Sequence, residues 1–498
     1  MAGNNNSCEK ILKTVRELNS EIDLTSREIS VILAAGHGKR IKSETPKMLH
    51  KIWGVPTVLR VANIVAEGLD NPNEIIVVGM KGDEVAGEIG ERPQTTFVYQ
   101  QEQKGTGHAL QVAFEAFKGK EYKGSIYVFP GDMGLVTTEA VRKFKEEFES
   151  SDFDMMVLTA LYRGKAENNY YGRVIRVPGE DGQSGEDNGK VIKVMEYKDI
   201  LSLKDDYEIN FHDRRYRFTR EELLNIEEFN GGVYAFKGDK LNEYIGKLTA
   251  DNIQGEFYLT DLISIFNRYG LSVGASSTRD HTVVLAFNIK SVLKDMEAIA
   301  RNRVYDKLKN IITIEDRDDF FIADEVVKSI LDLDRKEGTL DIVIGKGVYL
   351  CKGATLNKGV RIKKNSILDG NIELGRNVTI GENVSLSTYP QQTMKLGPES
   401  EIFKGDIVKG NVLIGEKCRI ESSVHITGSD NSPTRIGNRV TVKGTSYIFG
   451  SLIEDDVRIE HSIIKNKRVE KLFKKDGSVR PVRYYLPQPE GIDSITGL

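Results

Sequence analysis

Short apolar runs alternate with amphipathic stretches through roughly the first three-fifths of the chain. Residues 31–35, 74–78, 96–99, 125–129 and 155–160 each read as a short buried strand. Between them, residues 57–67, 108–117 and 138–148 carry helix-compatible patterns. The alternation predicts a mainly parallel sheet with helices on both faces. In such sheets ligands bind beyond the carboxyl ends of the strands. Residues 9–28, with Ile11, Leu12, Val15, Leu18 and Ile22 roughly on one face, predict a short amphipathic helix ahead of the first strand.

From Asp341 the period changes. Apolar residues recur every six positions at Ile344, Leu350, Leu356, Ile362, Leu368, Leu374, Ile380 and Leu386, punctuated by Gly345, Gly353, Gly375 and Gly381. The rhythm returns at Ile414, Ile420 and Ile426, then at Ile436, Val442 and Ile448. No amphipathic helix repeats every six, whereas short strands wound into a triangular parallel β-helix do. Such a solenoid buries its core between neighbouring coils and serves as scaffold or oligomer contact. Residues 389–410 read as an interruption of the coils. The chain thus divides into a helical extension (1–28), an α/β domain (29–300), a linker region (301–340), a β-helix (341–465) and a loosely packed or free tail (466–498).

Composition adds mostly exclusions. The chain has 498 residues, 29% of them charged, and a formal net charge of −4, which gives no electrostatic reason to expect nucleic acid or an anionic membrane as the main partner. The basic runs 465–468 and 471–475 read as solvated tail. Cys8, Cys351 and Cys418 are scattered and odd in number, forming neither a metal-type cluster nor a disulfide framework, as suits a reducing compartment. No apolar run approaches the ~20 residues of a membrane span, so a cytoplasmic location without membrane insertion is expected.

Chemistry enters at the strand ends. The run 31–35 opens into Gly36, His37, Gly38, Lys39 and Arg40, a loop whose backbone N–H groups can approach a phosphate. Arg40 and Lys47 add positive charge, and Pro46 stiffens the segment between them. The pattern is neither GxGxxG nor GxxxxGK[ST], which removes support for dinucleotide binding and for an ATPase P-loop. After residues 96–99, the amides and glycines of 100–107 suit the reading of a base edge. Asp132, after 125–129, has the chemistry of a Mg²⁺ ligand, since Mg²⁺ takes oxygens and often keeps only one or two protein ligands beside substrate phosphates. Taken singly, the loop also reads as a tight turn with a basic rim, and Asp132 as a cap.

The motifs together are more specific. Residues 33–40 (LAAGHGKR), 42–50 (KSETPKMLH), 100–109 (QQEQKGTGHA), Tyr171 to Arg173, Glu196 to Asp199, Asn230 to Gly232 and 252–261 (NIQGEFYLTD) occur in the order of the sugar-nucleotide pyrophosphorylases. The chain resembles in particular the uridylyltransferase half of the bacterial bifunctional N-acetylglucosamine-1-phosphate uridylyltransferase/glucosamine-1-phosphate acetyltransferases. The likeness covers residues 29 to about 300, and the solenoid in general form. It implies an α/β fold: a Rossmann-like nucleotidyltransferase domain followed by a left-handed parallel β-helix of hexapeptide repeats. The implied reaction is Mg²⁺-dependent transfer of a uridylyl group from UTP to N-acetylglucosamine 1-phosphate, giving UDP-N-acetylglucosamine and pyrophosphate. By the same resemblance, Arg40 and Lys47 are the catalytic basic residues. Leu33, Ala35, Gly36, Gly38, Gln100, Gly105 and Thr106 bind the nucleotide. Gly172, Glu196 and Asn230 bind the sugar phosphate, Asp132 and Asn252 hold the metal, and the β-helix builds a homotrimer. Read alone, Gly172 is a turn, Glu196 a surface charge, and Asn230 and Asn252 loop caps.

Departures from the family pattern keep the substrate open. Gly231 stands where the family has Thr, and Ile253 where it has Ala. Polar segments at about 177–190 and 201–226 read as surface insertions that enlarge the sugar-side loops. They leave room for a uridylyl- or thymidylyltransferase acting on another hexose 1-phosphate. The relatives' β-helix transfers acetyl with a His in a lysine-bearing segment followed by an Asn-Tyr-Asp-Gly stretch, and neither can be placed here. His425 and His461 lie in unrelated contexts and read as outward or capping residues. Acetyl transfer is therefore expected to be absent, while a bifunctional enzyme and a non-catalytic homologue remain as competing readings.

Overall fold

The computed structural model describes residues 2–484, apart from residues 37, 165, 167, 168, 179–186, 188, 213 and 253. The chain forms two compact units, residues 1–297 and 298–498, whose boundary falls inside the helix Lys290–Leu308.

The first unit is built on a nine-stranded sheet: β1 (Glu28–Ala34), β2 (Glu74–Val78), β3 (Thr95–Tyr99), β4 (Ser125–Pro130), β5 (Met155–Leu161), β6 (Arg173–Arg176), β7 (Val191–Met195), β8 (Glu228–Lys237) and β9 (Val273–Thr278). The order is β9-β5-β8-β4-β1-β2-β3, with β6 joined to β8 and carrying β7. Along the main path β8 alone runs against its neighbours. Every residue of β2 is buried, as a strand covered on both faces requires. One face packs on Thr57–Leu69 and Thr138–Glu149 through Val58, Val61, Val65, Phe144 and Phe148. The other face packs on Thr106–Ala113 and Asp261–Arg268 through Leu110, Leu262 and Phe266.

The amino-terminal helix runs over Ala2–Leu18, earlier than its pattern predicts. It buries Ile11 and Val15 in the first of those cores. It stops at Leu18 where the chain turns to bond along the outer edge of β3: Ser20 N donates to Thr95 O (2.8 Å) and Phe97 N to Asn19 Oδ1 (2.7 Å). The extension thereby covers an edge strand that would otherwise offer free backbone groups. The insertion at 201–226 is more than surface loop. It folds into the hairpin Tyr207–Phe211/Arg214–Phe218 and the helix Arg220–Asn225, opened by a Thr219–Glu222 capping box. Phe211 and Leu223 close a small separate core with Ile175, Ile192, Met195 and Ile200. Most of the insertion at 177–190 lies outside the described residues.

The second unit is a left-handed parallel β-helix. Among the described residues its three sheets hold eight, eight and seven strands, the last of each being Arg458–Ile459, Ile463–Lys465 and Arg468–Val469. The residues spaced by six, from Ile344 to Ile448, are all buried. Three expectations need correction. Coils begin at Thr313–Ile314 and Phe320–Ile322, inside the presumed linker, because the helix Asp324–Glu337 takes the place of a third strand and hides the six-residue rhythm. The interruption at 389–410 is confined to the turn before Met394–Leu396; Glu401–Ile402 and Ile407–Gly410 continue the ladders, with Met394 and Ile402 as inward residues. The tail does not hang free as far as residue 484. Val482 N donates to Arg458 O (2.7 Å), Ile463 N to Tyr484 O (2.7 Å), and the Arg483 guanidinium meets Glu460 at 2.7 Å. These contacts add a partial rung to the last coil.

One corner of the prism repeats a polar device. Ser366 Oγ accepts from Val384 N (3.1 Å), Asp406 Oδ1 from Val424 N (2.8 Å) and Ser446 Oγ from Ser462 N (3.1 Å). Asp406 alone brings a carboxyl group into this buried series, and burial pushes it up to about 7 despite its backbone N–H bonds. Its raised value favours the folded state fully below about pH 4. That advantage fades as pH rises towards 7, because the unfolded chain ionises first. Asp406→Ser should therefore melt no lower than the wild type at pH 8 and show a smaller fall in melting temperature between pH 4.5 and 8. An identical fall in both proteins, measured by thermal unfolding, would place the pH dependence elsewhere.

Candidate active site

Because β1, β2, β3 and β4 run in one direction, the loops that follow them open at the same edge of the sheet. Two hydrogen bonds to backbone carbonyls tie them together at the end of β1. Gly131 N donates to Leu33 O (3.0 Å), and Gln103 Nε2 donates to Ala35 O (2.5 Å). A β-carbon on Gly79 would lie 2.4 Å from that Ala35 oxygen, so the loop after β2 has to be glycine at this point. Leu33 is half-buried, Ala35 buried and Gly36 exposed, while His37 is outside the described residues. Gly38 takes a left-handed conformation (φ 65°), and a β-carbon there would come within 2.7 Å of Lys47 Cβ.

Lys47 opens a short 3₁₀ turn behind Pro46 and is buried. Its ammonium donates to Asp132 Oδ2 (2.5 Å) and Asn288 Oδ1 (2.9 Å), and lies 5.5 Å from the centroid of Phe287. A cation and a carboxylate expected from separate motifs, one for phosphate and one for metal, thus neutralise each other. Arg40 is exposed at the rim.

The loops at 100–107 and 252–259 form a second cluster. Gln100 is buried; its Nε2 donates to Gly105 O (3.3 Å) and lies 2.9 Å from His108 Nδ1. Gly105 (φ 106°) has no room for a side chain, a β-carbon falling 2.5 Å from Phe257 O. Phe257 N donates to Lys104 O (2.8 Å), Gly107 N to Phe257 O (2.8 Å) and Leu259 N to Thr106 Oγ1 (3.2 Å). Asn252 is tied into its own turn: Nδ2 donates to Glu256 O (2.5 Å), and Oδ1 accepts from the N–H groups of Gln254 and Glu256, each at 3.2 Å.

The third cluster joins Gly172 before β6, Glu196 after β7 and Asn230 at a bulge within β8. The register of β8 slips between Asn230 and Val233, and in that bulge Gly232 N donates to Asn230 Oδ1 (2.9 Å). Asn230 N donates to Gly172 O (2.9 Å), and Asn230 Nδ2 donates to the Tyr234 hydroxyl (2.7 Å). A β-carbon on Gly172 would lie 3.2 Å from Glu196 Oε1. Burial raises the Glu196 carboxyl, with Asp199 and Asp261 adding to the effect. Gly231 also has a packing reason. A β-carbon there would approach Leu158 O to 2.6 Å and Val284 Cγ1 to 2.8 Å, which leaves no room for the family's Thr.

The structure therefore brings together Lys47 with Asp132, Gln100 with Gly105, and Gly172 with both Glu196 and Asn230. The contacts of Asn252 run to its own loop and those of Asp132 to Lys47. Among the described residues no group of three or more His, Cys, Asp or Glu forms a metal cluster. Asp132 and Asn252 nevertheless offer the carboxylate and amide oxygens that suit Mg²⁺. Motif reading does not find Asn288 or Gln103. Asn288 lies 241 residues from Lys47, in a stretch with no distinctive pattern, so no local signal marks it. Gln103 sits inside a recognised motif but carries no role of its own there.

Removing the cation leaves Asp132 buried without its ion-pair partner, a loss worth about 3 kcal/mol for a buried pair. Lys47→Met should lower stability by that order, whereas Asp132→Asn, which keeps an oxygen for Lys47, should lower it less. Denaturant unfolding of the two variants checks the order, and equal effects would contradict it.

With the geometry in place, comparison with known proteins adds the following. Residues 30–177 match the family described as MobA-like NTP transferase domain. A relative from Clostridium tetani, named Bifunctional protein GlmU, is 35% identical over 300 residues, 60% of this chain and 58% of the relative, so that match spans little more than half of the relative's length. The protein of the same name from Acetivibrio thermocellus is 30% identical over 438 residues, covering 88% of this chain and 82% of the relative. The one from Clostridium kluyveri (strain NBRC 12016) is 29% identical over 461 residues, covering 92% and 72%.

Proposed function

The chain belongs to the sugar-nucleotide pyrophosphorylase family represented by these GlmU relatives, and from that premise we propose that it transfers a uridylyl group from UTP to N-acetylglucosamine 1-phosphate, releasing pyrophosphate. The observation that carries the reading is the convergence of Lys47 and Asp132, 85 residues apart in sequence, beside the Gly38 loop at the carboxyl edge of the sheet. A sugar 1-phosphate oxygen attacks the α-phosphorus of UTP in line. The acceptor is already anionic, so no protein nucleophile is required. The barrier lies in bringing two polyanions together and in the charge gathering on the leaving pyrophosphate, which makes catalysis a matter of placement and fixed positive potential.

Each cluster takes one share of that work. Arg40, Lys47 and the N–H groups of residues 34–40 hold the triphosphate, and Lys47 exchanges Asp132 for a phosphate oxygen as substrate enters. Gln100, Gly105 and Thr106 hold the base, with the Gln100 amide anchored by His108. Gly172, Glu196 and Asn230 hold the sugar. Mg²⁺, bound through Asp132 and Asn252, would supply charge neutralisation for the phosphates. The compact insertion at 201–226 favours keeping a second reading, in which the same chemistry serves another hexose 1-phosphate.

We also propose that the β-helix associates with copies of itself, as a homotrimer. Its second face carries an in-register outward column in which Tyr349, Ile367, Ile407, Tyr447 and Ile463 are all exposed. These side chains are already more than half covered, so an assembly that closes over the column would gain a fraction of the roughly 1.5–3 kcal/mol that full burial of an exposed side chain of this size contributes. His425 lies in the same column, directed outward.

Pyrophosphate release should be strongest with UTP and N-acetylglucosamine 1-phosphate when UTP and dTTP are tested across a panel of sugar 1-phosphates with Mg²⁺. Asp132→Asn should reduce that turnover by about 100-fold or more, an effect of the size of losing one electrostatic group in a phosphoryl-transfer site; undiminished turnover would overturn the metal assignment. In sedimentation velocity the protein should run at three times its chain mass and Ile407→Glu at a lower multiple. A wild-type monomer would rule out the assembly.

A further inference from the structure

Arg173 begins β6, directly after Gly172, and its side chain is wholly buried. Burying a guanidinium is costly unless its donors are met. Here the two terminal nitrogens are met by backbone carbonyls: Nη1 donates to Tyr171 O (2.5 Å), and Nη2 to Asn169 O (2.7 Å) and, at longer range, Leu224 O (3.4 Å), while Nε has no hydrogen-bond partner among the described residues. The guanidinium also lies 5.8 Å from the ring centroid of Tyr197, the residue after Glu196. Across the sheet Arg173 pairs in register with Phe229, the neighbour of Asn230. The side chain therefore braces the turn that presents Gly172 and reaches the segment that carries Glu196, while the backbone of Arg173 pairs with the strand that carries Asn230.

The contact with Leu224 joins this centre to the insertion. Leu224 belongs to the last turn of Arg220–Asn225, where helix carbonyls have no partner within the helix and a cation is favourable. The helix is held in place by Leu223, fully buried in the small core shared with Ile175 and Met195. A lysine at 173 would keep the charge but not the planar fork that reaches several carbonyls at once.

We propose that Arg173 is a positioning residue through which the insertion at 201–226 sets the geometry of the sugar 1-phosphate subsite. This rests on the reading of the protein as a sugar-1-phosphate nucleotidyltransferase. Arg173 acts through Gly172 and Glu196, and the insertion tunes affinity for the sugar phosphate without touching it.

The test uses the full chain and measures pyrophosphate release for wild type, Arg173→Met, Arg173→Lys, Leu223→Ala and the Arg173→Met/Leu223→Ala double variant, varying sugar 1-phosphate and UTP in turn. Arg173→Met should raise KM for the sugar 1-phosphate about tenfold or more while KM for UTP stays within about twofold, and Arg173→Lys should fall between. Leu223→Ala should raise the same KM and add nothing further on the Arg173→Met background. Equal rises in both KM values, a loss confined to kcat, or additive effects would overturn the proposal. Should Arg173→Met not fold, Arg173→Lys takes its place in the cycle. If the wild type releases no pyrophosphate from any pair, the catalytic reading fails, and the coupling is read by hydrogen exchange instead. Faster exchange at the Gly172 and Asn230 amides in Leu223→Ala then supports it, and unchanged exchange refutes it.

Discussion

At the carboxyl end of β1 the loops following three neighbouring strands have to meet within hydrogen-bonding distance, and the backbone there leaves almost no space for side chains. Leu33 O takes the N–H of Gly131, Ala35 O takes the side-chain amide of Gln103, and Gly79 presses against the same carbonyl at a distance that excludes any β-carbon. The parallel direction of β1 to β4 brings these loops to one edge, and the missing side chains let them close on each other. Gly38 repeats the condition one step outward, against Lys47. The ion pair of Lys47 and Asp132 lies beside this closure, between segments that also pack through Met48 and Ile52 against Gly131 and Gly134.

Much of this was legible in the chain. The strands at 74–78 and 125–129 read correctly because strands covered on both faces are continuous apolar runs, and the six-residue rhythm named the β-helix because no other regular structure has that period. The glycine motifs marked the loops that the structure gathers at one edge of the sheet, because their spacing was recognisable as a family's. What could not be read was anything set by long-range pairing. The antiparallel course of β8 and its bulge at Asn230 depend on partners in β4 and β5, and Asn288 meets Lys47 only after 241 residues of folding. The early start of the coils was hidden for the opposite reason. The helix Asp324–Glu337 fits in the first turn of a solenoid, and its own 3.6-residue pattern masked the six-residue one.

The insertion at 201–226 shows how composition misleads about role. It is polar and reads as a surface loop. Polarity is what a hairpin with one covered face and one wet face must show, and in 201–226 the apolar minority, Phe211 and Leu223, is sufficient for a small core. The departure at Gly231 has a similar lesson. Read as a motif, it weakens the resemblance. Read as packing, it is what the carbonyl of Leu158 and the side chain of Val284 demand of a bulge at that place.

Charge is handled differently on the two sides of the site, and the contrast bears on how each side works. On the proposed phosphate side Lys47 is paired with Asp132, and under that reading its charge becomes available to a polyanion by exchange of partners. On the proposed sugar side the terminal nitrogens of Arg173 are met by carbonyl dipoles, and among the described residues its charge has no carboxylate to exchange. A paired cation can change partners when an anion arrives, because one ion pair replaces another. A cation fixed by several carbonyls of two segments cannot leave without exposing all of them unsatisfied in a buried place. The first arrangement suits a group that must engage phosphate, and the second suits one that must keep a turn still while a neutral, hydroxyl-rich ring is recognised beside it.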